Sequence, residues 1–220
     1  MTPLRKTSLT AGTLYLLTFI SIPTFALYGP IHESNFIVGT DSDTRVIIGN
    51  ILELIVALAG IGTAVVLYPV LKKQNEAMSI ALVGARVLEA ATIFVGVLFL
   101  LTVVSLHRSS AGTEALTISR TLVTMYDRMF LIGQSLMPAV DDMLLGLLLY
   151  HSRLVPRVLS VIGIIGGPVL LAGTLSVMFG LLGQREPLAG LSALFVAVFE
   201  FSLGIYLITK GFKPGTLNKS

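Results

Sequence analysis

Five carboxylate side chains lie inside long apolar stretches of this sequence, where charge is costly. Two of them, Asp141 and Asp142, are adjacent in the run MPAVDDMLLGLLLY. A charged residue at the centre of a lipid bilayer costs about 2.5–3.5 kcal/mol on insertion scales, so it faces a protein interior, a water-filled cavity or a partner. Carboxylates in such places bind cations or relay protons. The set, with the one arginine that shares these stretches, is Glu53, Glu89, Asp141, Asp142, Glu200 and Arg86.

The spacing of these residues places several of them at one depth. Glu89, Asp141 and Glu200 each lie nine or ten residues from the end of an apolar run. At about 1.5 Å per helical residue they are some 14–15 Å deep, near the midplane of a hydrocarbon core about 30 Å thick. Arg86 precedes Glu89 by three residues and shares its helix face. Gln134 precedes Asp141 by seven residues and extends a polar stripe, so the sequence predicts a polar layer halfway across the membrane.

Prolines and glycines interrupt the helical pattern near the same depth. Pro138 has no N–H, so the carbonyl of Gln134 loses its usual helical partner beside the acids. Pro168 does the same to Ile164, within a glycine-rich stretch where helices either pack closely or bend. The glycines of this stretch are Gly163, Gly166 and Gly167.

Two interpretations of the polar layer stay open. In the first, the layer binds or relays, because five acids cannot all pair with one arginine and the surplus is protonated, hydrated or matched by a bound cation. In the second, Arg86 neutralises a neighbouring acid, others are protonated, and the layer only fixes helix packing. The candidate binding or proton-relay residues are Arg86, Glu89, Gln134, Asp141, Asp142, Glu200 and Glu53. Whether a metal ion takes part is left open.

The sequence gives little support to catalysis. Adjacent residues on a helix point about 100° apart, so the paired aspartates are poorly placed to act on one substrate atom. The chain contains no HExxH zinc-protease motif, no GxSxG nucleophile elbow and no phosphate-binding loop. It has no cysteine, and therefore no thiolate ligand or nucleophile. We name no catalytic residue, expect no cofactor and favour a non-enzymatic role.

The composition indicates an integral membrane protein. Charged residues make up 12% of the chain and the mean hydropathy is +0.89, whereas soluble domains carry about 25% charged residues. A membrane-spanning helix needs about 20 largely apolar residues. We predict an all-α polytopic transmembrane helical bundle, one integral membrane domain over residues 1–220 with six spans. The spans are about 9–29, 46–71, 79–106, 129–150, 158–183 and 188–210.

Two segments have alternative interpretations. Thr24 and Ala26 would suit a signal-peptide cleavage site, but the length of the first apolar run and the five spans after it favour an uncleaved helix. Residues 107–126 include apolar side chains at helical spacing. This segment either lies in the membrane interface or extends the fourth span outward, and the pattern does not choose between the two.

Other polar residues are assigned to the membrane edges. His107 and His151 lie at opposite edges and are expected to be solvated end residues rather than ligands. Asp127 and Arg128 are expected to form an ion pair with each other at the outer mouth of the fourth span.

The distribution of basic residues predicts the orientation. Nine Lys and Arg lie at the two termini and in the 72–78 and 151–157 loops, against four in the loops on the other side. Positive residues are retained in the cytoplasm, so both termini are predicted to be cytoplasmic. This retention also accounts for the net charge of +3, and the expected partner is the lipid bilayer rather than nucleic acid. The oligomeric state is not determined. The nine residues are Arg5, Lys6, Lys72, Lys73, Arg153, Arg157, Lys210, Lys213 and Lys219.

Three segments resemble a known family: RKTSLTAGTLYLLTFI, GARVLEA and LLLYHSRLVPRVLSVIGIIGGP. The chain is similar there to a bacterial multi-pass membrane protein family catalogued as a domain of unknown function. That family has an arginine-led first helix, a G-x-R-x-x-E-like third helix and a Y-x-S-x-L-V-P-R turn. The resemblance implies the topology and a location in the bacterial cytoplasmic (inner) membrane, and it implies no activity.

The polar layer therefore decides the functional hypothesis. We expect binding or transport of a small solute, a proton or another cation through a carboxylate-lined cavity at mid-depth. The alternative is a non-catalytic membrane sensor or partner protein whose polar layer is structural.

Overall fold

Helices form all the regular secondary structure in the computed structural model, which describes residues 1–33, 36–39, 42–109 and 112–213. The α-helices are α1 Pro3–Thr18, α2 Thr24–Leu27, α3 Thr44–Leu71, α4 Glu76–Arg108, α5 Ala115–Leu131, α6 Met137–Ser152, α7 Arg157–Met178, α8 Pro187–Ser192 and α9 Leu194–Thr209. The all-α prediction is confirmed for these ranges. Lys219, which the charge count includes, lies outside the described residues.

Five helical segments are long and apolar enough to cross a membrane, and a shorter apolar helix follows them. The five are Pro3–Leu27, Thr44–Leu71, Glu76–Arg108, Ala115–Ser152 and Arg157–Met178. The shorter helix is α9, within the predicted sixth span, which the structure divides at Ala193 into α8 and α9. The chain is therefore a helical membrane protein, with five clear candidate spans in its described part.

The first span is bent, and it is packed into the bundle. After α1 a 3-10 turn covers Phe19–Ser21, and Pro23, which has no N–H, precedes the short helix α2. α1 contacts α3 and α9 and buries Ala11 and Tyr15 between them. This segment therefore contributes to the core like the other helices.

Most of the connection over residues 107–126 is helical and runs on without a break into the predicted fourth span. Its first two residues end α4, and from Ala115 onward it is helical, outside residues 110 and 111, which are not described. α5, a five-residue π-helical segment Ile132–Leu136 and α6 then run on as one helical segment of 38 residues. The helix begins about four turns before Met129, the predicted start of the fourth span.

The helices form a closed ring in chain order. α1 packs on α3, α3 on α4, α4 on α6, α6 on α7, α7 on α9, and α9 returns to α1. Arg5 donates hydrogen bonds to the carbonyl of Leu207 at 3.0 Å and to that of Ile208, so the start of α1 meets the end of α9. We call this end of the ring the terminal face. The opposite end, where α3 begins and α4 ends, is called the distal face.

Apolar cores fill the two halves of the ring. In the terminal half, leucines of α3, α6 and α9 pack around Tyr15 and Phe199, both almost fully buried. In the distal half, Tyr28, Phe36 and Tyr126 lead a second core. The polar layer lies between them.

Glycines bring α7 close to its neighbours, as the sequence predicts. A Cβ at Gly163 would lie 2.8 Å from the ring of Phe199, and one at Gly167 would lie 2.5 Å from the carbonyl oxygen of Ala139. α7 therefore sits directly against α6 and α9, the helices that carry three of the candidate acids.

Candidate functional site

Arg86 is the centre of the polar layer. It lies on α4 with only 3% of its side chain exposed. Its Nη1 is 2.9 Å from Glu89 Oε2, its Nη2 is 2.5 Å from Glu200 Oε1, and its Nε is 3.4 Å from Asp141 Oδ2. Nη2 is also 3.7 Å from Asp142 Oδ1. One guanidinium thus faces four carboxyl groups, which the sequence predicted to share its depth.

The four acids come from three helices. Glu89 is one turn from Arg86 on α4, the two aspartates lie on α6, and Glu200 lies on α9. Asp141 and Asp142 both face Arg86 despite the angle between adjacent helical residues, because they approach different nitrogens of the guanidinium. Adjacent residues of a helix are poorly placed to act on one substrate atom, but these two aspartates both contact a cation that has several nitrogens.

The acids outnumber the base, and several of their atoms lack partners. Both aspartates are fully buried, at 0% exposure. Neither oxygen of either aspartate has a hydrogen-bond partner among the described residues, and Arg86 Nε, although near Asp141, is not aligned for one. Buried polar groups in native proteins are normally hydrogen-bonded, so unpaired ones mark a site with a ligand, proton or water to accept. The cluster therefore has unused hydrogen-bonding atoms that can bind a ligand, a proton or water.

Glu53 belongs to a second network rather than to the Arg86 cluster. Tyr126 donates a 2.6 Å hydrogen bond to Glu53 Oε1, and Gln134 donates a longer one of 3.4 Å to the same oxygen. Glu53 Oε2 has no partner among the described residues. Gly60, seven residues along α3, is the residue that faces Arg86 and Glu89. Glu53 therefore lies about 10 Å nearer the distal face.

Tyr28 and Asn50 complete this second network. The Tyr28 hydroxyl donates to Asn50 Oδ1 at 2.9 Å, and the rings of Tyr28 and Tyr126 meet edge to face at 5.4 Å. Sequence reasoning did not identify Tyr28, Asn50 or Tyr126 as site residues. The one available signal was that Asn50 and Glu53 share a helix face of α3 at i, i+3 spacing.

Gln134 lies between the two networks because the helix is distorted at that point. The π-helical segment Ile132–Leu136 directly precedes α6, where Pro138 removes one backbone donor. π-helical turns are rare and are frequent at functional sites. Gly133 makes the local packing feasible, since a Cβ there would overlap Thr92 Oγ1 on α4. The predicted loosening of the backbone at Gln134 thus takes the form of a π-helical turn.

Two neighbouring cavities, which share part of their lining, lie at the cluster and on its distal side. The deeper cavity, about 180 Å³, is lined by Arg86, Glu89 and Glu200 among others. The outer cavity, about 550 Å³, is lined by Tyr28, Tyr126 and further aromatic and polar residues. Three residues line both cavities, and they are Gln134, Leu170 and Ala193. We call the outer cavity the vestibule and the deeper one the carboxylate cavity.

The terminal side of the cluster is closed by apolar packing. Tyr15, Leu67, Leu145 and Phe199 lie there, each with 1% or less of its surface exposed. The Tyr15 ring is itself 5.8 Å from the Arg86 guanidinium, on which it forms a cation–π contact. The cluster is therefore closed toward the terminal face, and the carboxylate cavity adjoins the vestibule on its distal side.

A charged group lines the vestibule near the distal face. His32 Nε2 is 3.1 Å and Arg185 Nη2 is 3.4 Å from Asp127 Oδ1. Gln184 donates to the backbone carbonyl of Asp127 at 2.8 Å. The expected pair of Asp127 with Arg128 is thus wrong, because Asp127 turns toward residues that are far away in sequence. Arg128 instead approaches the Gln184 side chain, at 3.5 Å.

A second charged group holds the distal ends of α3 and α4 together. Asp43 Oδ1 is 2.7 Å from His107 Nδ1, and Asp43 Oδ2 accepts a 2.8 Å hydrogen bond from Arg108. Burial raises the pKa of Asp43, but the hydrogen bonds from Arg108 and His107 outweigh it and leave that pKa below its usual range. His107 stacks on Phe36 at 4.8 Å, so the prediction of a solvated end residue is wrong for it. That prediction holds for His151, which is exposed.

No group of three or more His, Asp or Glu side chains in the described part of the chain has the arrangement of a metal site. This agrees with the chemistry of the cluster, in which a guanidinium already occupies the position between the carboxylates.

Comparison with known proteins gives one match. Residues 10–211 match the profile of a family described as Domain of unknown function (DUF4386). The match covers most of the chain and confirms the resemblance inferred from the arginine-led first helix, the third helix and the basic turn. Neither the comparison with curated proteins nor that with solved structures finds a match.

Proposed function

The chain thus belongs to the DUF4386 family, and we propose that it binds protons or a small cationic solute at the carboxylate cavity and moves them across the membrane. In this proposal the chain crosses a bacterial cytoplasmic membrane six times, with both termini in the cytoplasm. The vestibule then opens toward the outside. The observation that carries the proposal is the excess of four carboxyl groups over one guanidinium at the floor of a cavity.

The excess of negative charge in the cluster supports the reversible binding of a proton or another cation. With all four acids ionised the cluster would carry a formal charge of −3, since one guanidinium faces four carboxylates. An uncompensated buried charge costs several kcal/mol, so the surplus is neutralised by protons or by a cation that enters the cavity. Binding is therefore linked to the protonation of the cluster.

Glu89 and Glu200 are the acids that an entering species meets first. Both line the carboxylate cavity, and their side chains are 10% and 13% exposed, whereas both aspartates are fully enclosed. The cavity volume of about 180 Å³ leaves room for several waters or one small organic cation. Arg86 then acts as the fixed counter-charge that holds the acids in place.

Proton flux into liposomes tests the proposal. The purified chain, reconstituted with a pH-sensitive dye inside, should acidify the lumen under an imposed membrane potential. Glu200→Gln and Asp142→Asn should reduce that flux to the level of protein-free liposomes while the variants remain folded by circular dichroism. Glu114→Gln, a change of the same type at an exposed position next to α5, should leave it unchanged.

Flux that is absent from the parent under gradients of protons, alkali cations and small amines would overturn the proposal. So would acid variants that behave like the parent.

The chain also suits a test of the proposed orientation, because it has no cysteine. A single cysteine at Leu181, which is 75% exposed beyond α7, should react with an impermeant maleimide added to intact cells. A cysteine at Lys73, in the turn between α3 and α4, should react only after lysis. The reverse pattern would invert the assigned sides.

One observation favours the structural alternative. Arg86 connects α4 with α6 and α9 in a single contact group, which is what a packing device for a sensor or partner protein would do. In that case the same acid variants should change thermal stability or oligomeric assembly, and no gradient should drive flux.

A further inference from the structure

A third cavity lies on the outer surface of the bundle, near the terminal face. It is a groove of about 350 Å³ between α7, the end of α6 and α9. Its lining shares no residue with the vestibule or the carboxylate cavity. The groove is therefore a separate site from the two cavities of the proposed transport.

The lining of this groove is apolar along one face of α7. Val158, Val161, Ile162 and Ile165 recur at the spacing that places side chains on one side of a helix. Val158 is 75% and Ile165 50% exposed. Phe195 of α9 lines the deep end, and its Cβ approaches α7 closely because Gly166 has no side chain; a Cβ there would lie 3.1 Å away.

The length and position of the groove match a lipid tail. The nine residues from Arg157 to Ile165 span about 12 Å along α7. The groove begins at the N-terminal end of α7, near the terminal face, and runs along that helix toward the middle of the bundle. An acyl chain fits this shape and chemistry, whereas a water-soluble anion would gain nothing from the apolar lining.

The shallow end of the groove carries an available positive charge. Arg157 stacks on the ring of Tyr150, with its guanidinium carbon 5.0 Å from the ring centre. No carboxylate within the described ranges forms an ion pair with it. Arg157 is also the first residue of α7, whose N-terminus lacks a side-chain cap and presents free backbone N–H groups. Arginine and a helix N-terminus are both suited to phosphate.

We propose that this groove binds one anionic phospholipid, with an acyl chain along α7 and the phosphate on Arg157. The turn that precedes α7 adds Arg153, an exposed residue held in the left-handed conformation at φ 55°. The basic turn between α6 and α7 is therefore a lipid site as well as a topological signal.

Lipid retention in native mass spectrometry tests this proposal on the full chain. Phosphatidylglycerol should bind the parent protein in preference to phosphatidylcholine. Arg157→Gln should weaken phosphatidylglycerol binding by about fivefold, the factor expected for one basic residue near an anionic head group. Lys72→Gln is a matched control, since Lys72 lies over the Tyr68 ring at 5.4 Å on the same face of the bundle, away from the groove.

A fluorescence measurement separates this site from general lipid contact. The chain has no tryptophan, so Val161→Trp places a single fluorophore in the groove and Ile80→Trp places one on the lipid-exposed side of α4. Each substituted position lies four residues into its helix from the same face of the bundle. Brominated phosphatidylglycerol in a phosphatidylcholine background should quench the groove fluorophore beyond its mole fraction and the α4 fluorophore only in proportion to it.

Three results would overturn the proposal: equal binding by Arg157→Gln and the parent, equal excess quenching of both fluorophores, or equal retention of phosphatidylcholine. Displacement of the lipid by millimolar inorganic phosphate would do so too, since it would show a phosphate site with no use for the acyl chain.

Discussion

Removing Arg86 and removing Asp142 should have consequences of very different size for stability, although they are neighbours in one cluster. Arg86→Met deletes the guanidinium that faces four carboxyl groups and leaves those groups buried without a counter-charge. Breaking a buried ion pair by removing one partner costs about 3–5 kcal/mol. We expect a loss of that size in the free energy of unfolding.

Asp142→Asn removes one of the surplus acids instead. Asp142 is the most distant of the four from Arg86, at 3.7 Å, and neither of its oxygens has a hydrogen-bond partner among the described residues. The arginine keeps three carboxyl partners after this change. We expect the free energy of unfolding to change by less than about 1 kcal/mol, which is the typical net contribution of one hydrogen bond to stability.

Unfolding by sodium dodecyl sulfate in mixed micelles, followed by far-ultraviolet circular dichroism, measures both changes. Arg185→Gln serves as a control for the loss of a cation, because its side chain is 58% exposed at the distal face. Combining Arg86→Met with Glu200→Gln should recover part of the loss, since contacting residues couple in double-mutant cycles. Equal losses for Asp142→Asn and Arg86→Met would refute the idea that the cluster holds an excess of acid.

Three further predictions concern other parts of the chain. Gly133→Ala should destabilise the protein by about 1–3 kcal/mol through overpacking against Thr92, and Thr92→Ala should relieve part of this in unfolding experiments; full additivity would contradict the close approach to Thr92 as its cause. Asp43 has a lowered pKa when folded, so its contribution to stability is present above its unfolded value and is lost as the pH falls below about 4. Asp43→Asn should flatten the pH dependence of unfolding in that window, and an unchanged acid limb would argue against it. Arg5→Gln should speed hydrogen exchange in the last turn of α9, whose carbonyls it caps, while leaving exchange in α4 as in the parent.

The depth of the polar layer was predictable from the sequence, because a membrane fixes one coordinate of every residue in a spanning helix. Counting from the ends of the apolar runs placed Glu89, Asp141 and Glu200 at one level, with Arg86 one turn from Glu89, and the structure gathers all four. Counting residues along the sequence does not, however, determine how each helix is rotated about its own axis. The reach of Asp142 to the same guanidinium depended on how α6 packs beside α4 and α9, which no local pattern records.

Glu53 is a residue whose partners could not be identified from its position along the sequence. It was grouped with the other acids by its apolar surroundings, but its partner Tyr126 is 73 residues away on α5. The helix that continues into the fourth span begins earlier than the predicted span, and this extension is what carries Tyr126 and Asp127 to the vestibule. Because the predicted fourth span did not include Tyr126, its hydrogen bond with Glu53 could not be predicted. The ion pair of Asp127 with His32 was missed for the same reason.

Arg86 has one contact within its own helix and others with neighbouring helices. This difference bears on how the carboxylate cavity, which is closed on its terminal side, could open toward the terminal face. The contact of Arg86 with Glu89 lies within α4 and persists whenever that helix is intact. Its contact with Glu200 crosses to α9, a short helix that begins after a break at Ala193 and packs on α1 and α7. A displacement of α9 would remove Glu200 from the guanidinium and at the same time open the apolar packing around Phe199, which closes the terminal side. The contact between Arg86 and Glu200 and the access from the terminal face would then be changed by one movement, which is the coupling that the proposed transport requires.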